Sequence, residues 1–384
     1  MTARVPLPAG FHAYVANIGI KDDTDDFVVV AADGPCTSAG MYTRSAFAGP
    51  SVLLSRQASR HARAVVVISK NANVATGEAG MANARRVQAG VAAAVGCQPA
   101  EVLIASTGVI GRQYPMERVE AGLAAIETPF TETDASRVAT GIMTTDTVAK
   151  VASATVGEAH IVGVAKGVGM IEPDMATLIT MIFTDALIAA DDLDRVFRNV
   201  IERTFNCVSI DTDTSTSDTA VILASGAAGP VPLNVFEEAL YGVAESLTKQ
   251  VARDGEGAET LITVTVDGAA TAEQAKRVAK AIVNSPLVKT AIHGADPNWG
   301  RVAMAIGKAT TADEIDQDQI VIRFGTQQVY PAAVDDLGLD VLSEYLRGDE
   351  VLIHVSLAAG QDTATVWGCD LTDGYVRINA DYTT

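Results

Sequence analysis

The chain has 384 residues, 48% hydrophobic but only 5% aromatic, so its core must be assembled largely from Ala, Val, Leu and Ile. With 28 basic against 47 acidic side chains the formal charge is −19, a surface that repels phosphate backbones and argues against a nucleic-acid partner. No stretch approaches the ~18 apolar residues of a membrane span, no basic-then-apolar leader opens the chain, and four isolated cysteines (Cys36, Cys97, Cys207, Cys369) suggest buried thiols in a reducing compartment; a cytoplasmic enzyme is the expected class.

Strand-like apolar runs are expected at 27–32, 64–69, 102–106, 160–165, 177–184, 219–224, 260–266, 319–324, 351–357 and 363–368. Helical patterns lie between some of them. Residues 78–95 are Ala-rich, and 193–205 put Leu193, Val196, Phe197, Val200 and Ile201 on one face. Asn234 and Glu237 have capping-box spacing ahead of Phe236, Leu240, Val243, Leu247 and Val251, with Gly255 as the stop. Thr271 with Gln274 opens a helix running to about Val283, and 128–136 read as a polar loop. Strands come both in pairs and separated by helices, which predicts packed α and β layers in an α/β fold.

The most informative stretch is Lys166-Gly-Val-Gly-Met-Ile-Glu-Pro-Asp-Met-Ala-Thr177, followed at once by an apolar, β-branched run. It places a threonine at the start of a buried strand. That hydroxyl can attack the Ala176 carbonyl, move the acyl group from nitrogen to oxygen, and break the chain when the ester hydrolyses. The α-amine so freed has a pKa of about 7.7–8.0 and can act as base for its own hydroxyl. On the strand alone, Thr177 is simply a β-former.

Three further motifs have both a chemical and a plain structural reading. Ser106-Thr107-Gly108, after a strand, can aim N–H groups and a hydroxyl at one point, as an oxyanion hole does, or it is a polar turn. Glu256, between Gly255 and Gly257, is an unobstructed carboxylate just past a helix; a C-cap explains Gly255 but not the rest. The run from Asp211 to Asp218 fails as a calcium loop, lacking Gly at the sixth position and Glu at the twelfth. Its Asp211-x-Asp213 start admits an aspartate-based phosphotransferase, or a polar wall of a pocket. Gly167-x-Gly169 lacks the rest of a dinucleotide fingerprint, and the scattered histidines, His293 among them, give no zinc spacing. No metal is expected.

Together these stretches, with Asn71-Ala-Asn-Val-Ala-Thr-Gly77, Met143-Thr-Thr-Asp-Thr147, Asp296-Pro-Asn-Trp-Gly-Arg301 and Tyr375-Val-x-Ile-Asn-Ala-Asp-Tyr382, resemble one family over essentially the whole chain: the ornithine acetyltransferases, or glutamate N-acetyltransferases, of arginine biosynthesis. Within it the spelling around Thr177 and the Thr-Thr C-terminus resemble the members of clavulanic-acid gene clusters. The resemblance implies the family's layered α-β-β-α-like sandwich, similar in logic but not in topology to N-terminal nucleophile hydrolases. It implies self-cleavage between Ala176 and Thr177 into an alpha chain (1–176) and a beta chain (177–384) that interlock and assemble as α2β2 or larger. Thr177 would carry acetyl from N-acetyl-L-ornithine to L-glutamate in a ping-pong cycle without cofactor. Thr107 and Gly108 match the oxyanion pair, and Glu256 the acid beside the nucleophile. Substrate contacts fall on one of Thr144 and Thr145 (Thr145 favoured), Lys166, Thr177, Glu256, Asn379 and Thr384. Val168, Asp174 and Ser217 depart from the family's usual residues near the site. The alternatives are a self-cleaving amidase or aminopeptidase, the phosphotransferase, and a non-catalytic binding protein.

Overall fold

The computed structural model describes residues 4–58, 60–172 and 178–381. Along these residues run fourteen strands: β1 (Phe11–Ala16), β2 (Phe27–Ala32), β3 (Thr37–Tyr42), β4 (Ala64–Asn71), β5 (Val102–Val109), β6 (Lys150–Val156), β7 (Ala159–Lys166), β8 (Ile179–Leu187), β9 (Thr219–Pro230), β10 (Leu261–Ala269), β11 (Val321–Phe324), β12 (Gln327–Tyr330), β13 (Glu350–Ser356) and β14 (Asp362–Cys369). They form three sheets ordered β1-β2-β4-β5, β3-β9-β8-β7-β6 and β12-β11-β13-β10-β14.

The apolar runs of β2 and β4 are continuous because both of their faces are covered. Side chains alternate across a strand, so each run is divided between two cores. Val28, Val30, Val65 and Val67 meet Val162, Val164, Met181, Phe183 and Val221 of the second sheet. Phe27, Val29, Val66 and Ile68 face the other way, onto Ala84, Val87 and Val91 of the helix Gly77–Val95. The second sheet repeats the division. Ile161, Ile182 and Ile222 point outward onto the helices Ala190–Arg203 and Leu233–Arg253. The result is an α-β-β-α stack, the layering expected from the sequence. The third sheet extends the last core, with Val264, Val266 and Ile353 packed beside Val278 and Ile282 of the helix Ala272–Val283.

The second sheet draws strands from both sides of position 177. β8 and β9 follow it in the chain, yet they lie between β3 on one edge and the β7–β6 hairpin on the other. β8 pairs antiparallel with β7 from Lys166↔Ile179 onward, and parallel with β9 from Ile179↔Thr219.

Several expectations are corrected. β1, β3, β6 and β12 were not among the expected strands. β3 is built from small residues, TSAGMY, at a sheet edge, and β6 carries the buried Lys150 at its start; neither shows an apolar run. The helix Leu233–Arg253 has no side-chain cap: Pro232 holds the N-cap position in place of the Asn234–Glu237 box. The stretch 128–136 already contains the start of the helix Ala135–Ile142, where the Asp134 side chain accepts from the Ser136 N–H. Thr271 caps as expected, accepting from the Gln274 N–H at 3.1 Å. Cys36, Cys207 and Cys369 are buried free thiols, whereas Cys97 is partly exposed. No helix among the described residues is long and apolar enough to cross a membrane.

Candidate active site

A cavity of about 280 Å3 opens where the first two sheets meet the end of the helix Leu233–Arg253, and Thr107, Gly108, Thr144, Thr145, Lys166, Glu256 and Asn379 all line it. Seven residues selected from the sequence thus converge from five separate segments. Ala176, Thr177 and Thr384 lie outside the described residues, as does Asp174. Lys166 ends β7, and Leu178, which follows Thr177, leads directly into β8 beside it.

Each segment is aimed by local chemistry. Thr107 and Gly108 sit at the end of β5, in parallel register with Ser69 and Lys70 of β4. Gly108 has φ +130°, and a Cβ there would fall 2.2 Å from the Lys70 carbonyl carbon, so only glycine allows this approach. The 167–171 turn is held from below: Gly167 N–H donates to Asp146 Oδ1 at 2.7 Å, and the Met170 and Ile171 N–H groups donate to Asp211 Oδ2 and Oδ1 at 2.6 and 2.8 Å. Glu256 is fixed at both ends. Its N–H donates to the Val168 carbonyl at 2.8 Å. Its carboxylate accepts from Asn379 Nδ2 at 2.9 Å and, at 3.4 Å, from the Thr145 hydroxyl. Gly257, at φ +71°, lets Gly374 and Tyr375 pass close by, which brings the helix Asp373–Asp381 and its Asn379 to the cavity.

Beneath the cavity lies a buried charge cluster. Lys150 Nζ donates to Asp146 Oδ1 at 2.8 Å and to Asp254 Oδ2 at 2.5 Å, with all three side chains nearly or wholly sealed from solvent. Asp254 also accepts from the Thr147 N–H and hydroxyl. Burial alone would raise the Asp146 pKa, but the Lys166 and Lys150 ammoniums outweigh it and hold the carboxyl well below the usual range. Burial lowers the Lys166 pKa while Asp146 opposes the shift. Lys166 Nζ stands 3.9 Å from Asp146 Oδ2, beyond hydrogen-bond reach. Among the described residues Nζ makes no hydrogen bond, which leaves its donors for an anion in the cavity.

Sequence reasoning missed Asp146 as the hub of this arrangement. Its partners sit at 144, 150, 166 and 167, and only the Asp146–Lys150 spacing was visible in the chain. It also missed Val109, Ile110, Gly169 and Met170 in the wall, whereas Ser215 and Thr216 belong to the 211–218 run expected as a polar pocket wall. Val168 and Ser217, noted as departures, do line the cavity.

Asp211 spends both oxygens on the turn it holds, so it is not free to be a phosphoryl nucleophile. A larger hollow, about 570 Å3, opens at His12, Asp33, Arg63 and Phe130 and gathers none of the selected residues. Among the described residues one trio, Glu259, His293 and Asp370, has its potential metal-ligand atoms within 4.8 Å of one another. Asp370 is already committed there, accepting from the Glu259 and Thr260 N–H groups through Oδ1 and lying 3.2 Å from His293 Nδ1 through Oδ2. It thus ties the end of a helix to a strand.

A pocket that gathers the Lys166 ammonium, a tethered carboxylate and a strand-end Thr-Gly pair suits acyl transfer. Comparison with known proteins agrees: the ArgJ family model matches residues 12–384, and the chain belongs to this family. It is 56% identical to "Arginine biosynthesis bifunctional protein ArgJ 2" of Nostoc sp. and 55% identical to "Glutamate N-acetyltransferase Oat2" of Streptomyces clavuligerus, each match covering 98% of both chains. A solved chain of the Bacillus halodurans protein argJ is 43% identical over 52% of this chain and 96% of its own, with a TM-score of 0.49.

Proposed function

We propose that this chain is an acetyltransferase of arginine biosynthesis that moves acetyl from N-acetyl-L-ornithine to L-glutamate. The convergence of Thr107, Gly108, Lys166, Glu256 and Asn379 on one cavity beside the approach to Thr177 carries this reading, with the family assignment behind it. The first step is self-cleavage of the Ala176–Thr177 bond. The resulting chains, 1–176 and 177–384, stay together because β8 and β9 of one are hydrogen-bonded between β3 and β7 of the other. Pairs of such units would form the working assembly, in the cytoplasm.

In the cycle the Thr177 hydroxyl attacks the acetyl carbonyl of N-acetylornithine, and its proton passes to the Thr177 α-amine. The tetrahedral oxyanion is met by the Thr107 hydroxyl and the Gly108 N–H. Collapse returns the proton to the departing ornithine nitrogen and leaves acetyl on Thr177. The α-amine of glutamate then attacks this ester and regenerates the alcohol. No electron is exchanged with an external acceptor, so the chemistry calls for no redox cofactor. Both substrates present an α-carboxylate, and the Lys166 ammonium, 3.9 Å from Asp146 Oδ2, suits it. The side-chain ammonium of ornithine needs a negative neighbour, which Glu256 supplies. Thr145, whose hydroxyl faces Glu256, is the better placed of the two threonines to share that contact, and Thr384 is the remaining substrate contact.

The test is incubation with N-acetylornithine in the presence and absence of glutamate. Formation of N-acetylglutamate matched to ornithine release is expected. Rapid ornithine release that ignores glutamate would instead identify a hydrolase.

A further inference from the structure

The self-cleavage reading leaves one chemical need unmet. When the C–N bond of the Ala176–Thr177 amide breaks, the nitrogen must receive a proton, because an amide anion is a very poor leaving group. Asp218 lies level with Leu178, the residue that follows Thr177 in the chain. It is the residue just before β9, 2% exposed, and follows the cavity-lining Ser215, Thr216 and Ser217. Its main chain is fixed, since its carbonyl accepts from the Thr43 N–H at 3.1 Å and the next N–H, of Thr219, donates to the Leu178 carbonyl at 2.9 Å. The parallel register Ile179↔Thr219 therefore sets Asp218 level with Leu178.

Neither carboxyl oxygen of Asp218 has a hydrogen-bond partner of good geometry among the described residues. The Leu178 N–H and the Thr43 hydroxyl lie close enough to favour the ionised form, but the Thr43 hydroxyl donates instead to the Ser215 carbonyl at 2.7 Å. The charged group facing Asp218 is Lys166, itself shared with Asp146. Burial outweighs all of these and pushes the carboxyl well above its ordinary pKa. A buried carboxyl with no hydrogen-bond partner of good geometry among the described residues is thus held beside the Leu178 amide. The Leu178 nitrogen is bonded to the Thr177 carbonyl carbon, and covalent geometry keeps the Thr177 nitrogen within about 4 Å of it.

We propose that Asp218 is the acid that protonates the Thr177 nitrogen when the chain cuts itself. The Thr177 oxygen forms a bond to the Ala176 carbonyl carbon, and the C–N bond breaks with its electron pair moving to nitrogen. Asp218 gives that nitrogen its proton, and the proton lost from the Thr177 hydroxyl restores the carboxyl. The step isomerises an amide to an ester. Water then splits the ester, restoring the Thr177 hydroxyl and leaving Ala176 with a carboxylate. The proposal rests on the self-cleavage reading.

The test is intact mass spectrometry of the Asp218→Asn chain over time, beside wild type and Thr177→Ala. An uncut 384-residue chain, or cleavage slowed by about 10²–10⁴, is expected, with a melting temperature no lower than that of uncut Thr177→Ala. Hydroxylamine, which cleaves esters, should not hasten it, because the block precedes the ester. Cleavage at the wild-type rate, or uncut protein that hydroxylamine readily splits at Thr177, overturns the proposal. If Asn at 218 prevents folding, the Thr177→Ser precursor, with Asp218 intact, carries the test. Its cleavage should fall about tenfold per pH unit above the ionisation of Asp218, whereas a rate that climbs with pH through this range overturns the assignment. An active wild type that is never cut, or cutting of Thr177→Ala at the same bond, would signal failure of the self-cleavage reading itself.

Discussion

Gly169 faces the carboxylate of Glu256 so closely that a Cβ at position 169 would lie 2.6 Å from Oε2 and 2.7 Å from the carboxyl carbon. The obstructing atoms are the far end of a flexible side chain. Gly169→Ala should therefore leave the fold nearly intact, within about 0.5–1 kcal/mol, while pushing the carboxylate out of place. A displacement of about 1 Å at a reacting group can cost about 10²-fold in rate, so acetyl transfer should fall by one to two orders of magnitude. Thermal melts and kcat/KM measured on the same sample separate the two effects.

Thr107→Ala should slow acetyl transfer by about 10²–10³, the usual loss for one oxyanion donor, with KM for N-acetylornithine nearly unchanged. The hydroxyl is needed where charge develops, not where substrate is held. An unchanged kcat would remove Thr107 from the site.

Asp146→Asn should be among the more damaging substitutions in the molecule. It takes the negative partner from the sealed Lys150 and from Lys166, and breaking one side of a buried ion pair costs about 3–5 kcal/mol. The pH dependence has a definite sign. The folded pKa of Asp146 lies below its unfolded value, so its stabilisation is present above the ordinary carboxylate range and is lost as pH falls through the folded value. Urea melts of wild type from neutral to strongly acid pH should show this loss, and Asp146→Asn should be less pH-sensitive there.

Asp218 predicts the opposite slope. Its folded pKa is raised, so the native state holds a proton that the unfolded chain releases, and stability falls as pH rises from the ordinary carboxylate range toward the folded pKa. In the uncut Thr177→Ala background, adding Asp218→Asn should remove that decline and make the double variant relatively more stable as pH increases. Denaturant melts across the neutral range measure the difference.

The fold was legible wherever burial on both faces wrote continuous apolar runs. β2, β4, β5, β7 to β11, β13 and β14 fall close to their expected positions. Strands without such a run left no trace: β1 contains His12, and β3 is TSAGMY. Of the residues that line the cavity, Thr107-Gly108 and Glu256 stood out as short motifs and Lys166 as the start of a glycine-rich turn, while Thr145 and Asn379 came only from the family resemblance. What binds them into one site was not. Asp146 and Asp218 look unexceptional in the chain, and their importance arises from neighbours brought near by sheet register. The tether between Asn379 and Glu256 likewise spans 123 positions, a distance over which sequence pattern carries no information.

The most direct measurement is to mix the purified protein with N-acetylornithine alone, quench, and map the product by mass spectrometry. The account predicts a piece that begins at Thr177, bearing one acetyl group on its side-chain oxygen, and rapid loss of that group when glutamate is added. Full activity in an unbroken chain, or acetyl transfer that proceeds with no label on Thr177, would contradict it.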